Sequence, residues 1–276
     1  NYIAGDVFLH RETKKAPCDR FPLEDKWTLT LGSSEGKKLA LLKAVEYAEL
    51  LHSKGKDDQA VEALVNCIKF TPDTKEIYYE LARIFIESKK FSEAWEVVGT
   101  MPEEAKSSIK GLELAGYARE GLGLDNEAMD FADKILSSDR SNPSALNLKG
   151  ILAFKKDQIG EAEDYFKRAI QSDPGFGEPY TNLGVLCWKM GKNEEALEHL
   201  RKGFILSPNV PDHCNIFYSV LSTSEEFRRA KDDYAEANRL YPHNKHIAFL
   251  YIDILIRQAT LKKVFLKTKM PLPHSA

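Results

Sequence analysis

The stretch Pro179-Tyr180-Thr181-Asn182-Leu183-Gly184-Val185-Leu186-Cys187-Trp188 places Tyr180, Leu183, Gly184 and Cys187 on one face at helical spacing. Gly191-Lys192-Asn193 then supplies a turn. A second helix follows with Ala196, Leu200 and Gly203 inward, and it stops before Pro208, which cannot continue it. The local unit is thus two short helices joined by a glycine turn. The stretch before it repeats the plan with Leu146, Gly150, Ala153, Ala162, Phe166, Ala169 and Pro174.

Working outward, the plan recurs every 34 residues: Ala60, Ala94, Ala128, Ala162, Ala196 and Ala230 form one unbroken alanine series. A second series holds small residues at Ala48, Ala82, Gly116, Gly150 and Gly184, then breaks at Tyr218. Small side chains at these two positions predict a close helix crossing, because a bulky group there would push the axes beyond about 8–10 Å. Gly55, Gly123 and Gly191 share a third series, which suits a left-handed cap after the first helix. Met101-Pro102 predicts a short second helix in one unit, and Tyr218 predicts a splayed pair in another.

On these residues the chain resembles the tetratricopeptide-repeat (TPR) family, whose pattern runs Leu-Gly, Tyr, Ala-x-x-x-Phe, Pro. Tyr180, Leu183-Gly184, Ala196 and Pro208 match it, and Ala162-x-x-x-Phe166 matches its second half. The resemblance implies an all-α, right-handed superhelical solenoid of helix-turn-helix repeats. The expected organisation is a non-repeat N-terminal segment at 1–34, a solenoid at 35–258 and a basic tail at 259–276. Within the solenoid the repeats fall at 41–74, 75–108, 109–142, 143–176, 177–210 and 211–244, with a capping helix at 246–258. Alternation of Trp27, Leu29 and Leu31 with Lys26, Thr28 and Thr30 predicts strand character in the first segment.

Composition narrows the function. A net charge of -3 lacks the basic excess of a nucleic-acid binder, and no apolar run reaches membrane-spanning length. Cys18, Cys67, Cys187 and Cys214 are scattered without a Cys-x-x-Cys pair, which predicts reduced thiols in a cytoplasmic protein and no zinc site. Gly32-Ser33-Ser34-Glu35-Gly36-Lys37-Lys38 is one residue short of a phosphate loop and has Lys38 where a metal-binding hydroxyl belongs. His243 and His246 lack a third ligand. We therefore expect no catalytic residues, cofactor or metal.

In the family the first helices line a concave groove. Its expected lining here is Tyr79, Arg83, Tyr117, Glu120, Asn147, Ile151, Phe154, Lys155, Thr181, Val185, Trp188, Lys189 and Asn215. Aromatic groups mixed with hydrogen-bonding ones are the usual make-up of an interface hot spot. For Phe154 and Trp188 the competing reading is packing against the next unit. The carboxylate clamp of chaperone-binding TPRs, a Lys-x-x-x-Asn and a Lys-x-x-x-Arg pair, is absent: the corresponding pairs are Val45/Glu49, Tyr79/Arg83, Glu113/Tyr117 and Asn147/Ile151. The expectation is a non-catalytic scaffold for a peptide or partner protein, with self-association through the stack ends as a further expectation. The alternative is the TPR arm of a larger enzyme, such as a bacterial glycosyltransferase.

If the alanine series marks tight crossings, Ala162→Leu or Ala196→Leu should cost about 1–3 kcal/mol by overpacking. Exposed Glu161→Gln should cost almost nothing. Thermal unfolding followed by circular dichroism separates the two, and alanine variants that melt like the wild type would put the register in error.

Overall fold

The pairing of helices follows from where the small residues and caps fall. In the computed structural model, which describes residues 34–208, 210–224 and 227–268, fourteen helices and no strand occur among the described residues. They fall into two units, 1–140 and 141–276. The first contains α1 (Ser34–Ser53), α2 (Asp57–Phe70), α3 (Lys75–Glu87), α4 (Phe91–Thr100), α5 (Glu103–Ser107), α6 (Ile109–Gly121) and α7 (Asp125–Ser138). The second contains α8 (Pro143–Lys155), α9 (Ile159–Ser172), α10 (Gly177–Lys189), α11 (Asn193–Leu206), α12 (Pro211–Ser224), α13 (Phe227–Leu240) and α14 (Lys245–Thr268). The expected segment at 1–34 lies outside the described residues except for Ser34, which begins α1.

Each pair closes on the two small-residue series. The alanines Ala60, Ala94, Ala128, Ala162, Ala196 and Ala230 are all fully buried. Opposite them, a Cβ added to Gly150 would lie 2.5 Å from the Phe166 ring, and one added to Gly184 would lie 2.6 Å from Leu200. The slot is small so that the residue four positions beyond the alanine can be large. In α12 the slot holds Tyr218, whose ring meets Tyr234 edge-on at 6.5 Å, and α12 and α13 pack over a shorter length than the other pairs. That is the splaying predicted for this pair.

Punctuation repeats with the same period. N-caps fall at Thr74, Ser108, Asn142 and Phe176. Ser108 accepts from the Gly111 N–H at 3.1 Å and Asn142 from the Ala145 N–H at 2.8 Å, each satisfying a backbone donor that the helix itself cannot. In α4, Met101 turns to extended backbone, so the second helix is short, as Met101-Pro102 predicts, and Pro102 caps the five-residue α5.

The turn after each first helix is left-handed. Gly55, Gly123 and Gly191 have φ of 68°, 75° and 74°, and the intervening members of the series, Lys89 and Asp157, are forced to 57° and 60°. The next described member is Ala259, one period beyond position 225. Alanine favours helix and resists positive φ. The chain therefore does not turn there, and α14 runs to Thr268, ten residues past the expected end of the capping helix at Gln258.

Neighbouring hairpins are joined by side-chain bonds at fixed offsets. His52 reaches Glu87 (2.8 Å), Asn182 donates to Asn147 (2.9 Å) and Tyr218 donates to Asp253, each 35 residues apart. Lys189 pairs with Asp157 (2.6 Å) and Arg201 with Asp233 (2.6 Å), each 32 apart.

The strained turns give a direct test. Gly123→Ala should destabilise by about 1–2 kcal/mol, the cost of a side chain at positive φ. Lys89→Gly relieves the same strain but adds about 0.4–1 kcal/mol of unfolded-state entropy. It should therefore raise stability slightly, and urea unfolding of the two variants should show opposite signs.

Candidate functional site

The first helices of each unit lie side by side, α1 with α3 and α3 with α6 in one, α8, α10, α12 and α14 in sequence in the other. The expected groove residues sit on these helices, and they divide by burial into three kinds. Lys155, Lys189 and Asn215 are exposed; Tyr79, Arg83, Tyr117, Glu120, Ile151, Phe154, Val185 and Trp188 are half-buried; Asn147 and Thr181 are buried at 1% and 3% exposure. The last two cannot touch a ligand. Asn147 accepts the Asn182 amide, and Thr181 lies against Gly203, where an added Cβ would be 2.2 Å from its hydroxyl oxygen. They are packing residues, a correction that follows from the closeness of the helices on either side.

In the first unit the polar members are held by the fold itself. Tyr79 hydrogen-bonds through its hydroxyl to Ser108 Oγ at 2.7 Å, tying α3 to the cap of α6. Arg83 does not stand ready for a peptide carboxylate. Its Nε donates to Glu80 at 2.9 Å, a second nitrogen reaches the other Glu80 oxygen, and a third donates to Glu87 at 2.5 Å. Glu80 is buried, and such a carboxylate needs the charge-assisted fork that the guanidinium provides.

Glu87 passes the network to α1. His52 Nε2 lies 2.8 Å from Glu87, its Nδ1 lies 2.8 Å from Asp57, and Ser88 donates to the other Asp57 oxygen at 2.8 Å. A carboxylate at each ring nitrogen favours the doubly protonated imidazolium. The bond to Glu87 raises the His52 pKa, burial opposes it, and the bond to Asp57 adds to it. Burial pushes the Glu87 carboxyl up, but the bonds from His52 and Arg83 outweigh it and leave it lowered. Nearby Glu49 is raised, by burial first and then by Glu80. This network escaped the sequence reading, although its signal was present: charges that pair at the period plus one, such as His52 with Glu87.

In the second unit Ile151, Phe154, Val185 and Trp188 form a half-buried apolar strip on α8 and α10. Phe154 and Ile151 pack on the core between α8 and α11, and Trp188 packs there and on the core that runs on to α14. Packing against the next hairpin is thus real for Trp188, while part of its surface stays open. Lys189 lies 5.0 Å from the Phe154 ring centroid, and its ammonium is shared with Asp157 at the strained turn. Asn215 is bonded to His246 at 2.6 Å. Among the described residues no three metal-ligating side chains converge, and no helix is long and apolar enough to cross a membrane.

Helical hairpins stacked at a fixed period, with one face made of first helices, define a helical-repeat protein. The family model for the tetratricopeptide repeat matches residues 143–176 and 177–209, so the chain carries tetratricopeptide repeats. Among curated proteins it is similar to the BBSome complex member BBS4 of Bos taurus, 23% identical over 205 residues and covering 74% of this chain. Its homolog from Drosophila melanogaster is 26% identical over 232 residues and covers 83%. The chain spans 40% of the length of each of these relatives. Among solved structures it is similar to TTC0263, a thermophilic TPR protein of Thermus thermophilus. There the TM-score is 0.55 at 19% identity, over 65% of this chain and 98% of that one, a likeness of fold.

The His52 network makes stability depend on pH with a definite sign. The raised His52 contributes stability that is complete below its ordinary value of 6.5 and is lost as pH climbs through the folded value. The lowered Glu87 contributes above its ordinary 4.5 and loses it as pH falls. Urea midpoints should therefore fall as pH rises above 6.5, and His52→Gln should flatten that fall. An unchanged slope in the variant would show that other groups set it.

Proposed function

We propose that this chain is a non-catalytic scaffold whose first-helix face holds a peptide or a segment of a partner protein. The observation that carries the proposal is the strip of Ile151, Phe154, Val185 and Trp188, half-open on paired helices beside exposed Lys155 and Lys189. Aromatic and branched side chains held rigid by a repeat core supply contact area at little entropic cost. The relatives support an assembly role, since one kind is named as a member of a complex. They favour it over the reading as an arm of a glycosyltransferase. Among the described residues Cys67, Cys187 and Cys214 are free thiols, which suits a cytoplasmic setting.

The charges already paired inside the fold shape the proposal. Arg83, Tyr79 and Asn215 are engaged internally, so affinity must come mainly from the apolar strip of the second unit, with exposed Lys155 and Lys189 at its margin. Peptides selected from a displayed random library against the intact chain should lose about thirtyfold in affinity on Trp188→Ala, the effect of an anchor worth about 2 kcal/mol. Trp188→Phe should retain most of the binding, and Glu161→Gln on the outer helix α9 should change nothing. Selected peptides that bind folded Trp188→Ala as tightly as wild type would remove the strip from the site.

A further inference from the structure

Most of the rungs described between hairpins keep their charge near neutral pH, as at Asn147–Asn182 and Lys189–Asp157. His246 also bridges two hairpins, but its partner is the neutral Asn215 side chain, whose oxygen accepts from either form of the ring. The junction between the α1–α2 hairpin and α3 is built differently. His52, near the end of α1, is held at both ring nitrogens by carboxylates of two other helices. Nε2 lies 2.8 Å from Glu87, the last residue of α3, and Nδ1 lies 2.8 Å from Asp57, the first residue of α2. Two acceptors need two N–H donors, and only the imidazolium has both. A neutral ring donates to one carboxylate and turns a lone pair towards the other. In either tautomer the bond to Glu87 is lost or falls to a neutral donor, about half as strong.

The packing leaves the two carboxylates little room to escape. The side chains of His52, Asp57 and Glu87 are 17%, 33% and 28% exposed. Behind Glu87 stand Arg83 and then Glu80 on α3, and Glu49, one turn before His52 on α1, acts on that pair. Two further ties cross the junction. Ser88 donates to Asp57 at 2.8 Å, and Lys90 lies 3.4 Å from Asp58, a carboxylate too exposed to contribute much. Apolar contact among Leu51, Leu64, Ile77 and Leu81 supplies the rest. In a stack of hairpins each contacts only its neighbours, so a weakened junction parts the stack at that place and leaves the other junctions closed. We propose that His52 is a proton-operated latch: its imidazolium holds the α1–α2 hairpin on α3, and loss of the proton lets that hairpin part while α3 to α7 stay packed. This opening is local, and so distinct from a fall in the stability of the whole unit. It removes Val45 and Glu49 of α1 from the first-helix face beside Tyr79 and Arg83.

Hydrogen exchange of the intact chain, read by mass spectrometry as protection factors across a pH series, tests the latch. A helix pair that has left its neighbour cannot bury its apolar face, so α1 and α2 amides exchange once it parts. His52 in the parted hairpin has its ordinary value of 6.5, and docking raises it. The opening constant of α1 and α2 should therefore rise towards tenfold per pH unit above 6.5 and level off beyond the docked value. Protection of α6 and α7 should stay constant. His52→Gln should abolish the rise. Asp57→Asn, which leaves one carboxylate at the ring, should make it level off at a lower pH. Protection of α1 and α2 that is flat with pH, or that falls in step with α6 and α7, overturns the proposal. So does a rise that persists in folded His52→Gln, or one whose plateau stays in place in Asp57→Asn.

Discussion

Each hairpin is organised by a slot in its first helix and a knob in its second. Where the slot is glycine, as at Gly150 and Gly184, the knob is Phe166 or Leu200, and no Cβ fits between them. The fully buried alanines one turn before the knobs let the backbones approach. This steric pair sets the spacing within the hairpin. Widening it at Tyr218 loosens α12 against α13 and leaves Tyr234 to fill the gap through stacking on Phe204 at 4.5 Å and Phe217 at 6.0 Å.

Between hairpins the adhesive is different. Apolar contact runs continuously along each core, and polar rungs fix the register of one hairpin on the next. The rungs occupy much of the polar chemistry on the first-helix face. Arg83, Tyr79, Asn147 and Lys189 all spend hydrogen bonds on neighbouring residues or hairpins. Truncating Arg83, Tyr79 or Asn147 removes a structural bond along with any ligand contact, because a buried or half-buried partner is left unsatisfied, whereas the Asp157 partner of Lys189 is exposed. The apolar strip is freer of such duties, and its exposed part faces solvent with no comparable polar role.

Much of the fold was legible because the steric demands of a hairpin are local and recur. The alanine series, the small slots, the break at Tyr218 and the short helix before Pro102 each follow from a few residues in one stretch. The candidate site was legible only as a set of positions. Ile151, Phe154, Val185, Trp188, Lys155 and Asn215 reach the surface; Asn147 and Thr181, on the same series, do not.

The sequence by itself determined the period, the helix pairs and their punctuation, since caps, turn glycines and small residues act within a single hairpin. Only the tertiary structure decided which polar groups face a ligand and which face a neighbour. That choice depends on how successive helices lean on each other, which brings together groups 35 residues apart, as at His52–Glu87 and Asn147–Asn182, and groups 32 apart, as at Asp157–Lys189. The length of α14 lies between the two cases. Ala259 is plain in the sequence, but its effect appears only once Lys89 and Asp157 show that this position must otherwise take positive φ, which alanine, lacking glycine's freedom, resists.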